Sequence, residues 1–423
     1  MSIFAEKLNL LLSDRVLRKR ILFVLGALIL FRILAAIPAP GISSSSLSNI
    51  LSTNQFLGLL NIFSGGGLSN YSIVMLGVGP YITATIIMQL LTMVFPRLKE
   101  MYHEEGQIGR KKFSQYSRLL SVPLAILQGL GLLALLTSQG FLLPLSPFDK
   151  FISVVVITAG SLLLMWIGEL VNEFGIGNGV SLIIFAGIVA GLPVAIGRAI
   201  FDFEVSQLPL YIAFVAVTIL IVAGVVLVTE AERPIPVTYA KRVRGMRMYG
   251  GMSTYLPLRL NQAGVIPIIF ALSILLFPQM ITNILAGSEN VIIKAITGFS
   301  NLILQNQLIY GVLYFILVFA FTYFYTAITF DPHATSENLQ KSGAFIPGTR
   351  PGASTTEHLS QVVTRLTTFG ALFLGIIAVL PIIMQGLTGI ATLAIGGTGL
   401  LIVVSVVIDL VKQLNAQLSI REY

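Results

Sequence analysis

Cysteine is absent from this 423-residue chain, so no disulfide or thiolate metal site can form. Only three histidines are present, all beside loop-like sequence, and a His-based metal centre is not expected. Charge is equally scarce: Asp, Glu, Lys and Arg make up 10% of the residues against 55% apolar types. Mean hydropathy is +0.90. A soluble domain of this length cannot carry so little charge, because much of its surface would be exposed apolar patch. Lipid must therefore be the solvent for most of the chain. Enzyme signatures are missing too. His103-Glu104-Glu105 runs on into Gly106 and Gln107, which is not a zinc-binding H-E-x-x-H pair, and Gly175–Gly179 (GIGNG) is neither a Walker nor a Rossmann loop. No G-x-S-x-G occurs. We expect no cofactor, no ATP-hydrolysing machinery and no enzyme. Residues 1–20 are amphipathic and charged, and the apolar run after Arg20 is too long for a cleavable signal, so they read as a cytosolic N-terminal segment.

What is there is a succession of apolar runs. Ten segments are long enough to cross a hydrocarbon core of roughly 30 Å as helix: 21–37, 71–95, 119–137, 151–170, 180–197, 209–228, 264–284, 308–330, 366–383 and 393–411. Placing the termini and alternate loops on one side puts 22 of the 26 Lys and Arg residues there and three on the other, with Arg32 inside the first span. By the positive-inside rule the richer side is cytosolic, and both termini lie inside. The loop 171–179, which holds no positive charge, faces the cytosol by parity alone. Ten spans divide into an N-terminal half (21–197) and a C-terminal half (198–411), with a cytosolic tail at 412–423. An odd number of spans per half gives the halves opposite orientations, as in inverted-repeat membrane proteins. No sequence repeat accompanies that parity.

Ion-coupled transporters usually carry ionisable residues at mid-membrane. Here the spans hold Arg32, Glu169 and Asp409, the last two near cytosolic ends. Arg32 lies about five residues from the outer end of its helix and can snorkel, so it reads as interfacial or locally paired. Glycine and proline interrupt the spans instead: Gly77, Gly79 and Pro80; Gly187 and Gly191; Gly264 and Pro267; Gly396, Gly397 and Gly399. Close helix packing and hinge bending are both open readings of these breaks. The side chains around them are Val and Ile, which would close a pathway by an apolar constriction.

The outer stretch 38–70 carries no charged residue and contains an apolar run, Phe56–Phe63, too short to span. With Gly65, Gly66 and Gly67 as a joint, that run is either a movable stopper at the mouth of a bundle or an idle interfacial helix. Two cytosolic loops of 35 residues, 229–263 and 331–365, are long for a compact bundle. The first holds Lys241, Arg242, Arg244 and Arg247, a cluster that anionic headgroups alone would explain. The second holds Phe345–Gly352 (FIPGTRPG), whose pairs Pro347-Gly348 and Pro351-Gly352 suit type II turns and stiffen a tip bearing Arg350. Docking to an acidic protein surface or to RNA phosphate fits both loops.

Several long blocks carry a family resemblance. They are PAPGI (38–42), NIFSGGGLSNYSIVMLGVGPYITATIIMQLL (61–91), EGQIGRKKFSQYSR (105–118), GIGNGVSLIIFAGIVAGLP (175–193), NQAGVIPIIFA (261–271), KSGAFIPGTRPG (341–352) and GGTGLLIVVSVVIDL (396–410). Across nearly its whole length the chain resembles the SecY family, the channel subunits of the bacterial Sec protein translocon.

The resemblance implies an all-α integral membrane fold of ten helices in two inverted five-helix halves, closing around an hourglass pore that opens sideways between the second and seventh spans. Its pore ring corresponds to Val78, Ile82, Val180, Ile184, Ile269 and Ile402. Branched aliphatics there would close around a chain of any sequence without selecting one. The plug segment corresponds to about 56–67, with Phe56, Leu57, Leu59, Leu60, Ile62 and Phe63 as its apolar residues. Thr83, Gln89 and Gln128 match the polar neighbourhood of the lateral gate, although ordinary interhelical hydrogen bonds would explain them as well. Lys241, Arg242, Arg244, Arg247 and Arg350 correspond to the surface that the SecA motor and the ribosome bind in turn. Expected partners are SecE-like and SecG-like subunits, SecA, the ribosome, signal peptides with their precursor or nascent chains, and anionic lipids. The function implied is passive passage of unfolded secretory proteins and sideways release of membrane segments, in a bacterial plasma membrane. A secondary solute transporter is the alternative, disfavoured by the empty mid-membrane and the long loops.

Overall fold

A computed structural model describes residues 14–40, 61, 64–138, 142, 145–201, 208–239, 242–244, 247–249, 253–285, 298, 306–388 and 391–419. Helix occurs at each of the ten apolar segments. The described helices are α1 (Arg15–Ala36), α2 (Gly79–Val94), α3 (Pro96–His103), α4 (Gly106–Ser138), α5 (Pro147–Phe174), α6 (Gly179–Phe201), α7 (Leu208–Glu230), α8 (Ile266–Leu285), α9 (Gln307–Thr329), α10 (Pro332–Lys341), α11 (Ala353–Thr388) and α12 (Ala391–Ser419). Among the described residues five helices are long and apolar enough to cross a membrane, or six if the bent pair α2–α3 counts as one. This is a multi-pass helical membrane protein. The bend of 116° between α2 and α3 falls at Pro96, which has no N–H to continue α2 and instead starts α3.

One expectation needs correcting at the second span. Helix was expected over 71–95, but residues 64–78 form successive turns and α2 begins only at Gly79. Gly77 holds φ +59, and Pro80 in the first turn of α2 cannot accept helix from its N-terminal side. The other breaks differ. Gly264 (φ +62) does precede α8, whereas Gly187, Gly191 and Gly396–Gly399 lie inside continuous helices. At Gly399 a methyl group would sit 3.3 Å from Ile188, which is the close-packing reading of that glycine.

The chain forms two compact units, each best described alone. The first comprises Met1–Phe214, Leu272–Tyr310 and Pro381–Tyr423. Its central helix is α5, which packs against α1, α2, α4 and α6. Arg118 of α4 and Glu169 of α5 form an ion pair at 2.5 Å, so the half-buried carboxylate is neutralised within the bundle. The end of α12 continues into the expected tail as far as Ser419. Leu414 and Leu418 pack against Leu17, Ile21 and Ile176, which ties the C-terminal helix to α1.

The second unit comprises Val215–Ala271 and Gly311–Leu380. Here the two long loops, 229–263 and 331–365, share a small β-sheet. β1 (Glu232–Tyr239) pairs antiparallel with β4 (Ser253–Arg259), and β5 (Ala344–Phe345) adds to β1 beside Thr238 and Tyr239. β2 (Arg242–Arg244) and β3 (Arg247–Tyr249) form a separate hairpin. Pro234 and Pro236 are tolerated in β1 because β5 reaches only its last residues and leaves the proline stretch an edge. Ile235, Val237 and Leu258 join Ala344, Ile346, Leu359, Val362 and Val363 in a buried cluster. Leu359 is fully buried. Leu359→Ala is expected to cost about 2–5 kcal/mol and to speed tryptic cleavage in 229–263. Unaltered cleavage would show that this cluster does not support the loop.

Candidate functional site

In the first unit the residues 64–78 are non-helical yet mostly buried, a state that lipid disfavours unless protein satisfies the backbone groups. Many of these groups are bonded, within the segment or to its neighbours. Ile73 N donates to Ile37 O at 3.0 Å, Ala39 N to Tyr71 O at 2.7 Å, and Ser72 N to Gly67 O at 2.8 Å. Side chains add more: Ser72 Oγ accepts from Val74 N, Ser64 Oγ from Leu68 N, and Ser161 Oγ of α5 donates to Gly77 O at 2.8 Å. Arg32, expected to be interfacial or locally paired, donates from its guanidinium to Gly65 O at 2.9 Å.

Val78 ends this segment, fully buried, and Ile82 follows one turn into α2, also buried. Ile184 of α6 and Ile402 of α12 are buried, and Val180 is half-buried at the start of α6. α6 and α12 pack together. Five of the six expected ring residues therefore belong to the first unit. Ile269 is buried at the start of α8 in the second, next to Phe270, whose ring meets Phe321 and Tyr325 edge-on. The expected stopper residues Phe56, Leu57, Leu59, Leu60, Ile62 and Phe63 lie outside the described residues, as does Lys241.

Two of the three expected gate residues meet. Gln128 Nε2 donates to Thr83 Oγ1 at 3.3 Å, and Thr83 donates in turn to Gly79 O at 3.0 Å. No bond joins Gln89 to them, and its Oε1 is buried with no hydrogen-bond partner among the described residues. The Gln128 bond is long, and polar pairs between membrane helices are worth about 0.6 kcal/mol on average. Gln128→Leu is accordingly expected to lower stability by less than about 1 kcal/mol. A much larger drop in the thermal midpoint would assign the glutamine a structural role.

Arg350 lies in the second unit, between two turns. Thr349 N donates to Ile346 O at 3.1 Å and Gly348 holds φ +87, which closes Ile346–Thr349 as a type II turn. Gly352 holds φ +98, and the buried Thr355 donates to Arg350 O at 2.9 Å. The tip backbone is thus pinned while the Arg350 residue is exposed. Arg242, Arg244 and Arg247 sit on the β2–β3 hairpin, with Arg244 paired in register with Arg247.

Sequence reading missed the small residues of α5. A methyl at Gly160 would overlap the carbonyl oxygen of Ile73, and one at Gly179 would overlap that of Gly168. Gly160 and Gly168, eight residues apart on one helix face, were the available signal.

The SecY family model matches residues 72–411. The chain belongs to the SecY family. Protein translocase subunit SecY of Thermus thermophilus is 45% identical over 417 residues, covering 96% of this chain and 94% of that one. The Escherichia coli subunit is 44% identical over 415 residues, with 96% and 93% covered. That of Mycobacterium tuberculosis is 43% identical, with 96% of both chains covered. Among solved structures, a protein conducting channel superposes with a TM-score of 0.62 at 20% identity. Sec61 from a canine ribosome-channel complex superposes with a TM-score of 0.60, also at 20% identity. Each likeness covers 96% of this chain and 93% of the other, and shows that this SecY-family chain has their fold.

Proposed function

We propose that this SecY-family chain is the central pore-forming subunit of a protein-export translocon, a passive gated channel that admits unfolded secretory proteins and releases membrane segments sideways into lipid. The observation that carries the reading is the near full-length match to translocase subunits at more than 40% identity. In this reading ten spans form two inverted five-helix halves, 21–197 and 198–411, with both termini in the cytosol of a bacterial plasma membrane. Val78, Ile82, Val180, Ile184, Ile269 and Ile402 form the apolar ring. Their burial and lack of polar atoms suit a seal that closes by dewetting and grips no particular sequence. The 56–67 segment serves as plug, and Thr83 with Gln128 marks the lateral gate.

The β2–β3 hairpin and the Arg350 tip serve as docking points for SecA and the ribosome, which supply the energy that the chain itself does not. SecE-like and SecG-like subunits complete the complex. The test is reconstitution with a SecE-like subunit, SecA, ATP and a signal-bearing precursor. The precursor should become protease-protected. Lack of protection together with small-solute uptake would sink the channel reading in favour of a transporter.

A further inference from the structure

α5 contributes none of the proposed ring residues, yet it touches the backbone on which two of them ride. Ser161 Oγ donates to Gly77 O, the carbonyl immediately before Val78. Gly160, its neighbour, leaves room for the carbonyl of Ile73 in the same buried turn segment. Two turns further along, Gly168 lies where a methyl would be 3.3 Å from Val180 Cγ2 and 3.5 Å from Val180 N. Gly179 presses in return on the carbonyl of Gly168, and its own N–H donates to Asn172 Oδ1 at 2.7 Å. Ser153, on the same face, donates to Pro40 O at 3.1 Å. Ser153, Gly160, Ser161 and Gly168 repeat at helical spacing and are all buried.

At Gly160, Ser161 and Gly179 the contacts are made to backbone carbonyls, whereas Gly168 meets the Val180 side chain as well as its backbone nitrogen. Backbone contact at van der Waals distance fixes position more tightly than apolar side-chain packing, because neither partner has a rotamer to change. We propose that α5, through Gly160, Ser161 and Gly168, is the positioning element of the apolar constriction, setting where Val78 and Val180 stand. The proposal rests on the ring assignment. It adds that the tightness of the seal is set by a helix outside the ring. Val78 is held from the helix side by Ile82 N, which donates to its carbonyl at 3.1 Å. On the other side residues 64–78 form turns, and the Ser161 bond acts at Gly77, where that segment gives way to α2.

The absence of cysteine makes a direct test available, since a single introduced thiol reports alone. The full chain carrying Val78→Cys is reconstituted with its small subunits, and the rate of labelling by a membrane-impermeant maleimide is measured. Adding Ser161→Ala should raise that rate about tenfold, the factor expected when one buried hydrogen bond is lost from a local opening equilibrium. Ser161→Thr, which keeps the hydroxyl, should restore the slow rate, and Gly160→Ala should raise it independently of the hydroxyl. A thiol placed instead at the equally buried Leu132 of α4 should label no faster in the Ser161→Ala background. Equal acceleration at both positions, or no acceleration of the Val78→Cys thiol, overturns the proposal. Conductance in planar bilayers separates the two levels. If Val78→Gly leaks while Ser161→Ala neither leaks nor exposes the thiol, only the role of α5 fails. If Val78→Gly does not leak, the ring assignment fails and the proposal falls with it.

Discussion

Arg350→Glu abolishes protein export while the variant chain still inserts and accumulates at the normal level; this is the largest functional effect expected of any single exposed residue here. The reason lies in how the tip is built. Both flanking glycines hold positive φ, Ile346 is buried in the cluster beneath the sheet, and Thr355 pins the Arg350 carbonyl. The side chain is therefore presented from a fixed backbone, and a partner carboxylate or phosphate meets it with little ordering cost. A guanidinium in such a contact makes charge-assisted, often bidentate hydrogen bonds, and reversing its sign replaces attraction by repulsion. Removing a buried charged partner from an interface costs about 2–5 kcal/mol, or some 30-fold to several thousand-fold in affinity. The fold should be untouched, because the residue is exposed and its backbone bonds do not depend on the side chain. Arg350→Lys should retain part of the activity, keeping charge but losing the planar fork. The measurement is protease protection of a precursor in vesicles, normalised to the amount of inserted channel. Undiminished protection with Arg350→Glu would remove the residue from any docking role.

Gly179→Val is expected to be the most damaging structural substitution among the described glycines. The N–H of Gly179 is bonded to Asn172, its missing side chain faces the Gly168 carbonyl, and Val171 Cβ would lie 2.8 Å from an added methyl. Backbone on both sides cannot rotate away. The α5–α6 hairpin would have to open, losing the Asn172 bond and the packing around Val180 together. Overpacking alone costs about 1–3 kcal/mol, and the lost bond adds about 1 kcal/mol more. We expect a thermal midpoint several degrees lower for the purified complex and reduced accumulation in the membrane. An unchanged midpoint would mean that the hairpin relaxes at no cost and that the tight approach of the two helices is dispensable.

The two expectations differ in how visible they were beforehand. The turn before Arg350 was legible because its signals are local: Pro-Gly pairs fix turn geometry within four residues. Helix positions were legible for a similar reason, since a long apolar run in lipid must bond its backbone within itself. The GIGNG stretch was visible only as a motif that fitted no phosphate loop. Gly179 is explained by the approach of α5, where it meets Gly168, and Gly177 by its turn, in which it takes φ +90. The sheet that joins loops 229–263 and 331–365 was missed because its pairings, such as Thr238 with Phe345, link residues more than 100 positions apart. Alternation within β1 was present, with Ile235 and Val237 inward, but two prolines obscured it.

The sequence by itself determined that lipid surrounds most of this chain and where its apolar helices fall. Those properties follow from transfer free energies and short-range backbone chemistry, which depend on composition over a span or a turn. Tertiary structure decided where helix could be given up. Residues 64–78 are non-helical inside the bundle because α1 and α5 offer Arg32 and Ser161 to their carbonyls. No run of twenty residues carries that information, since the donors come from elsewhere in the fold.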